Sequence, residues 1–306
     1  MGPELSPREL TILEKTFHWL QRLYEREMLD AGKLDTIGLK PGWTVVKGRN
    51  GLCGTAFRFT GPHKVYEGNE ADPEAMKRFV GKGLMEVVAE NLHSPLIPLR
   101  SLAVASLSAL SQPLLTPEAL MKRGISVWDG PDYVEAAIRP EDIVTLIGYG
   151  GMVQNVLGRC KELHVTDMRR PETLLTTIIG ETVRLEPSQV KLHGAEDDEA
   201  LLGGSDVVIM TASSLVNGTI DELLRYAARA RSVGLYGPSA SIIPDVLFEE
   251  GVDFVLSHRV QNPERFIEAL MNDVNLESAL RKYQRYQTML PVKPHAREGV
   301  RQGGPV

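Results

Sequence analysis

Apolar residues recur along this chain in two different periods, and the change of period divides it. Leu10, Leu13, Phe17, Leu20 and Tyr24 follow one another at three and four residues, which predicts an amphipathic helix ending near Gly32. Ser6-Pro7-Arg8-Glu9 offers that helix a capping box with proline at its first position. The apolar stripe either packs on its own domain or forms a dimer seam. Trp43 to Val46 and Thr55 to Phe59 flank Gly48-Arg49-Asn50-Gly51, the signature of a hairpin. Asp72-Pro73 opens a helix running to about Asn91, and another apolar helix follows over Leu99 to Leu110. Helix, hairpin and helices in that order predict a small α+β domain over residues 1–125.

Gln112-Pro113, Thr116-Pro117, Gly130-Pro131 and Arg139-Pro140 punctuate the next stretch, where a domain boundary is expected. Beyond it the pattern alternates. Strands are expected at 143–147, 163–166, 206–210, 232–236 and 252–256, with helices near 151–161, 219–230, 244–250 and 262–272. A short strand is expected at Gln189 to Leu192. Near-continuous apolar strands separated by helices predict an α/β domain over 126–290, with a doubly wound, mostly parallel sheet covered on both faces. The tail, 291–306, is rich in proline, glycine and charge and is expected to be flexible.

In such a sheet, ligands bind in the crevice beyond the carboxyl ends of the strands. The apolar run Val207 to Met210 passes into Thr211, Ser213, Ser214, Asn217 and Thr219. That polar run either lines a site for a polar ligand or is an ordinary strand–turn–helix junction capped by Thr219. Val144 to Ile147 leads into Gly148-Tyr149-Gly150-Gly151, where backbone N–H groups can face a phosphate or carboxylate. Asp167 follows Gly148 by 19 residues, the place of an acidic residue that accepts from ribose hydroxyls. Val153 replaces the third glycine of that fingerprint, so NAD is only partly supported. Gly237 and Ser239 end one further strand, and His258 and Arg259 another. His258 is a candidate base or ligand, or a hydrogen-bonded structural residue. Arg259 is a candidate anion clamp or a surface ion-pair partner.

Composition narrows the partners. The 306 residues carry 34 Lys plus Arg against 40 Asp plus Glu, a net charge of −6. That balance argues against nucleic acid or an anionic membrane as the main partner. Apolar runs fall far short of the roughly 20 residues needed to span a bilayer, and the amino terminus lacks the pattern of a signal peptide. A cytoplasmic protein is expected. Cys53 and Cys160 are too few and too distant for a disulfide framework. Metal-ligand spacing is thin, with Cys53 and His258 as the candidates. Glu196-Asp197-Asp198-Glu199 reads as a solvated loop or helix start rather than a cation site.

These motifs together resemble a prokaryotic family described as putative heavy-metal chelation proteins, in which an enolase amino-terminal-like domain precedes a Rossmann-like domain. The resemblance rests on Ile147-Gly148-Tyr149-Gly150, Asp167, Asp206 through Thr219, Gly237-Pro238-Ser239 and Gly251-Val252-Asp253. It covers about residues 10–275. Two positions depart from the family pattern: Ala212 stands where a glycine is usual, and Ser108 where an asparagine is usual. The resemblance implies a small polar or anionic ligand, such as a metal complex or metal-binding metabolite, in an interdomain cleft. Gly148, Tyr149, Gly150, Gly151, Asp167, Thr211, Ser213, Ser214, Asn217, Gly237, Ser239 and His258 are the expected site. A transition metal or a nucleotide cofactor is the expected group, and a homodimer is compatible. An enzyme using NAD or S-adenosylmethionine, and a non-catalytic scaffold or regulator, remain as alternatives.

Overall fold

The computed structural model describes residues 9–61, 64–67, 72–170, 174, 176–179, 182–185, 190–272 and 276–292. The first helix, α1, is Ile12–Arg26. The expected box at Ser6-Pro7-Arg8 lies outside the described residues, and Thr11 with Glu14 forms the capping box instead. Leu13, Phe17, Leu20 and Tyr24 are buried within the chain, whereas Leu10 is exposed. The stripe is therefore taken up internally and is not open as a dimer seam.

The hairpin strands are β2 (Trp43–Gly48) and β3 (Cys53–Phe57), joined in an antiparallel sheet by a strand the sequence pattern did not reveal, β1 (Leu34–Lys40). The single helix expected from Asp72 to Asn91 is two, α2 (Pro73–Lys77) and α3 (Leu84–Asn91), because the Gly81-Lys82-Gly83 turn interrupts it. Helix α4 (Ile97–Ser111) then runs beneath the small sheet. It is apolar or small on every face beyond Arg100 and is buried nearly throughout, as an all-round apolar helix must be.

Short helices α5 (Pro117–Met121) and α6 (Tyr133–Ala137) lead into the second unit. Its sheet has eight strands: β4 (Ile125–Val127), β5 (Ile143–Ile147), β6 (Glu162–Asp167), β9 (Val190–Gly194), β10 (Val207–Thr211), β11 (Ser232–Tyr236), β12 (Phe254–Val260) and β13 (Gln284–Pro291). Their order is β4-β13-β12-β11-β10-β5-β6-β9. The six strands from β12 to β9 are mutually parallel, and the order is that of a doubly wound dinucleotide-binding sheet. Strands β4 and β13 extend one edge antiparallel. Pro291, the first residue of the expected flexible tail, instead closes β13; residues 293–306 lie outside the described residues. A separate hairpin, β7 (Thr176–Ile179) with β8 (Thr182–Leu185), stands between β6 and β9.

The helices are α7 (Met152–Val156), α8 (Asp198–Gly203), α9 (Ser213–Asn217), α10 (Ile220–Tyr226), α11 (Asp245–Glu249), α12 (Pro263–Met271) and α13 (Leu276–Tyr283). Strand β10 alternates between two cores. Val208 and Met210 join the one shared with α4, and Val207 and Ile209 join the one on the opposite face. A strand buried on both sides explains its unbroken apolar run.

Strand β3 rests directly on α4. A Cβ at Gly54 would overlap the Ala109 nitrogen and the Ala105 carbonyl oxygen. Ser101 of α4 donates to Thr44 Oγ1 at 2.8 Å. The Phe57 amide donates to Ser239 Oγ at 2.9 Å, tying the small sheet to the edge of the large one. Because both atoms opposing Gly54 are helix backbone, Gly54→Ala is expected to cost about 3 kcal/mol or more through overpacking. Urea unfolding checks this, and unchanged stability would show that the strand does not sit so close.

Candidate functional site

The strand order reverses between β5 and β10, and an open parallel sheet leaves a crevice at such a switch point. Gly148 turns the chain away from β5 with φ of +91°, and a Cβ there would lie 2.9 Å from Thr211 Cγ2 at the end of β10. The crevice is a cavity of about 240 Å³, roofed by Phe57, Phe59 and Val65 from the small-sheet side. Eight of the expected residues line it: Gly148, Tyr149, Gly150, Asp167, Thr211, Ser213, Ser214 and Asn217. Gly151, Gly237 and Ser239 line an adjoining hollow with Trp43 and Phe57.

Most of the polar groups that the sequence offered to a ligand are used locally. Ser214 Oγ donates to the Thr211 carbonyl at 2.7 Å, and Ser213 Oγ to Thr211 Oγ1 at 3.2 Å. Asn217 Oδ1 accepts from the Thr219 amide and hydroxyl, and its Nδ2 donates to Met168 Sδ. Thr219 makes no side-chain cap to α10. Ser239 receives the Phe57 amide and is a structural tie. Asp167 Oδ2 accepts from the Tyr149 amide and Arg169 Nη2, and Oδ1 from the Arg169 amide and Nε. Burial pushes its carboxyl up, but the Arg169 side chain and these two amides outweigh it and hold the pKa low. Both oxygens are thus occupied by the chain, which removes the expected acceptor for ribose hydroxyls. The anion-binding turn also weakens, since α7 is five residues long and a short helix has little dipole to offer.

Other expectations fall outside the cavity. His258 is on β12, its amide donating to Ser241 Oγ and its ring edge-on to Tyr286. Burial lowers its pKa to about 4, so it is neutral. Arg259 follows it on the same strand and lines neither hollow. Cys53 is fully buried among Val45, Val260 and Phe266, and burial pushes its thiol pKa up. Ser108 is buried beside Gly54, a packing position where the larger asparagine of the family would have to be accommodated. Ala212 adopts φ −69° and ψ −1°, which any residue can take, so the lost glycine is not needed for the turn.

The cavity contains chemistry that sequence patterns missed. Thr166 is 1% exposed, and its Oγ1 has no hydrogen-bond partner among the described residues. Asp198 Oδ1, on the same cavity, is likewise buried and unpartnered. The hydroxyl lies near enough to favour the carboxylate, but the two do not reach hydrogen-bond geometry. Burial, reinforced by Asp197, Glu196 and Glu222, outweighs that help and pushes the Asp198 pKa up to about 6. In sequence, Asp198 is one of four consecutive acids and Thr166 is a strand residue, so neither stood out. The roof is an aromatic series: Trp43 on Phe57 at 5.2 Å, Phe57 on Phe59 at 4.9 Å, Phe59 on Tyr66 at 5.3 Å, all edge to face. Phe59 has φ of +52°, a left-handed conformation costing a bulky residue about 1–2 kcal/mol.

As a metal centre the donor set fits poorly. Two carboxylates and the Met168 thioether line the cavity, one carboxylate is neutralised by Arg169, and no histidine or cysteine among the described residues contributes. Among the described residues, no group of three or more His, Cys, Asp or Glu could hold an ion. Soft metals favour thiolate or imidazole.

Sheet order, switch-point cavity and small antiparallel sheet define a Rossmann-like α/β protein with a second unit closing over the carboxyl edge. Residues 132–289, just over half of the chain, match the family DUF364, described as "Putative heavy-metal chelation", and residues 22–111 match DUF4213, described in the same words. The chain belongs to the DUF364 family. A DUF364 protein of unknown function from Pyrococcus horikoshii has a similar crystal structure, with a TM-score of 0.65 and 21% identity over 91% of this chain and 99% of that one. A DUF364 protein of unknown function from Desulfitobacterium hafniense DCB-2 gives 0.63 and 18%, over 89% and 98%. An uncharacterized protein of Methanocaldococcus jannaschii is 22% identical over 190 residues, 60% of this chain. The chain spans 64% of the length of that relative.

The raised Asp198 pKa has a consequence for stability. A carboxyl with a folded-state pKa above its unfolded value of 3.8 stabilises fully below about pH 4, and that contribution is lost as pH rises through about 6. Asp198→Asn is therefore expected to raise stability at pH 7.5 by about 1 kcal/mol after allowance for solvent screening, roughly 3 °C in Tm. The gain is expected to vanish near pH 4. Calorimetry at the two pH values checks it; a gain independent of pH would mean that charge is not the cause.

Proposed function

We propose that this protein binds a small organic molecule, part polar and part apolar, in the switch-point cavity. The observation that supports this reading is the pair of buried, unpartnered oxygens, Thr166 Oγ1 and Asp198 Oδ1, on one cavity wall. A buried polar atom left unsatisfied costs about 1–3 kcal/mol, so such a pair is retained where something else satisfies it. A single water fills only about 30 Å³, far less than the 240 Å³ enclosed. That volume lies just under the roughly 300–1,000 Å³ of drug-sized sites and suits a metabolite. Phe57, Phe59, Val65, Ile147 and Leu223 offer the body of the ligand an apolar surface.

The family description concerns metal chelation, and the described side chains of the cavity do not supply a coordination sphere. In this reading the bound molecule, not the protein, is the chelating species whenever a metal is involved. The protein is assigned to the cytoplasm, in keeping with its two thiols. Among the described residues no helix is long and apolar enough to cross a membrane. An enzyme using NAD or S-adenosylmethionine is a second reading, favoured by the parallel strand order. The Asp167–Arg169 pair weighs against it.

Native mass spectrometry of protein purified without chelator, with metal analysis of the same sample, is the direct test. The expected result is an organic mass released on denaturation. Re-adding that compound at 100 times its dissociation constant is expected to stabilise the protein by about 2.7 kcal/mol, and Thr166→Val is expected to weaken it. A stoichiometric metal retained without any organic mass would overturn the reading. So would a clean apo mass unmoved by NAD, S-adenosylmethionine or a metabolite panel, which would favour the scaffold.

A further inference from the structure

We infer that the ligand carries a protonated amine, seated between Asp198 and Thr166, on an apolar or aromatic body that lies against Phe57 and Phe59. The inference rests on the cavity being a ligand site and specifies what it takes. Among the described residues, the Asp198 carboxylate Oδ1 is an acceptor with no donor. Thr166 Oγ1, also without a partner among the described residues, can accept from the same group. An ammonium has three donors and no acceptor, which suits two neighbouring oxygens; a carboxylate or phosphate in the same place would meet repulsion.

The surrounding charges favour the same answer. Asp197 and Glu196 share the turn with Asp198, and Glu222 weighs on it from α10. From β9, His193 Nδ1 is 3.7 Å from Asp197. Arg169, just beyond β6, lines the same cavity, but its guanidinium is taken up by Asp167 and the Tyr149 carbonyl. Arg229, on the turn packed against α8, is exposed. Lys191 of β9 pairs with Glu162, and Arg225 of α10 lies 3.9 Å from Glu222, so among the described residues no cation on these elements pairs with Asp198. The aromatic roof provides faces and edges for an organic body.

Three probes of one shape separate the possibilities: 2-phenylethylamine, the uncharged 2-phenylethanol and the anionic 3-phenylpropanoate, titrated calorimetrically into the full chain. The amine is expected to bind at pH 7.5 at least tenfold more tightly than the alcohol, with the acid weakest. Its affinity is expected to fall about tenfold per pH unit below 6, where Asp198 must give up a proton first. At pH 6, in buffers of different ionisation enthalpy, the amine is expected to release about half a proton and the alcohol none. Asp198→Asn, with its fold checked by circular dichroism, is expected to lose the preference for the amine but keep alcohol binding. Thr166→Val is expected to weaken the amine several-fold.

Equal or tighter binding of the alcohol or acid would overturn the amine and leave the cavity as a ligand site. Amine binding unchanged in Asp198→Asn would overturn it as well. If none of the three binds, both the amine and this reading of the cavity fall.

Discussion

The close approach of strand β3 to helix α4 at Gly54 is the contact on which the rest of the site depends. With no side chain between strand and helix backbone, β3 lies low enough for its end to reach over the carboxyl edge of the large sheet. The Phe57 amide then finds Ser239, and Phe57 and Phe59 become the roof of the switch-point cavity. Helix α4 can accept this because its buried face is built from Ala105, Ala109 and small serines, and because it is apolar on the side facing the large sheet. One helix therefore serves as the core of both units. The cavity therefore lies between two units that share a core.

Within that frame, the polar residues divide into those that build the site and those left over for chemistry. The Thr211–Thr219 segment folds its hydroxyls and amide into its own turns. Asp167 and Arg169 neutralise each other and pin the glycine turn through Tyr149. What is left is Thr166 and Asp198, two oxygens without partners beside an apolar surface. Nine buried side-chain atoms among the described residues lack a hydrogen-bond partner, and these two are the ones that line the cavity, which also has the left-handed backbone of Phe59 in its roof. Departures of this kind concentrate at functional sites, where the surrounding fold over-determines them.

A residue type is a poor guide to its role when its partners come from distant strands. The glycines and hydroxyls after β5 and β10 mark the edge of the sheet where the cavity lies, and eight of the residues expected from them line it. Yet their side-chain roles differ from the expectation: Ser213, Ser214 and Thr219 found partners two or three residues away, while Asn217 reaches Met168 and Asp167 reaches the Tyr149 amide across the sheet edge. His258 and Cys53 looked reactive on chemical type alone, and burial makes the one neutral and the other inert. Asp198 looked like part of a solvated acidic run, and a strand 32 positions earlier turned it toward a cavity.

The sequence by itself determined the α/β class, the five central strands and the edge at which the crevice opens, since apolar runs and glycine turns are local signals of burial and direction. It carried no such signal for the edge strands β1 and β4, or for β13 between β4 and β12, whose short or mixed patterns become strands only by pairing with neighbours already in place. Nor did it show which acid would lack a partner. That was decided by the tertiary structure alone, because an unsatisfied oxygen is defined by everything packed around it, and the groups around Asp198 come from four separate stretches of the chain.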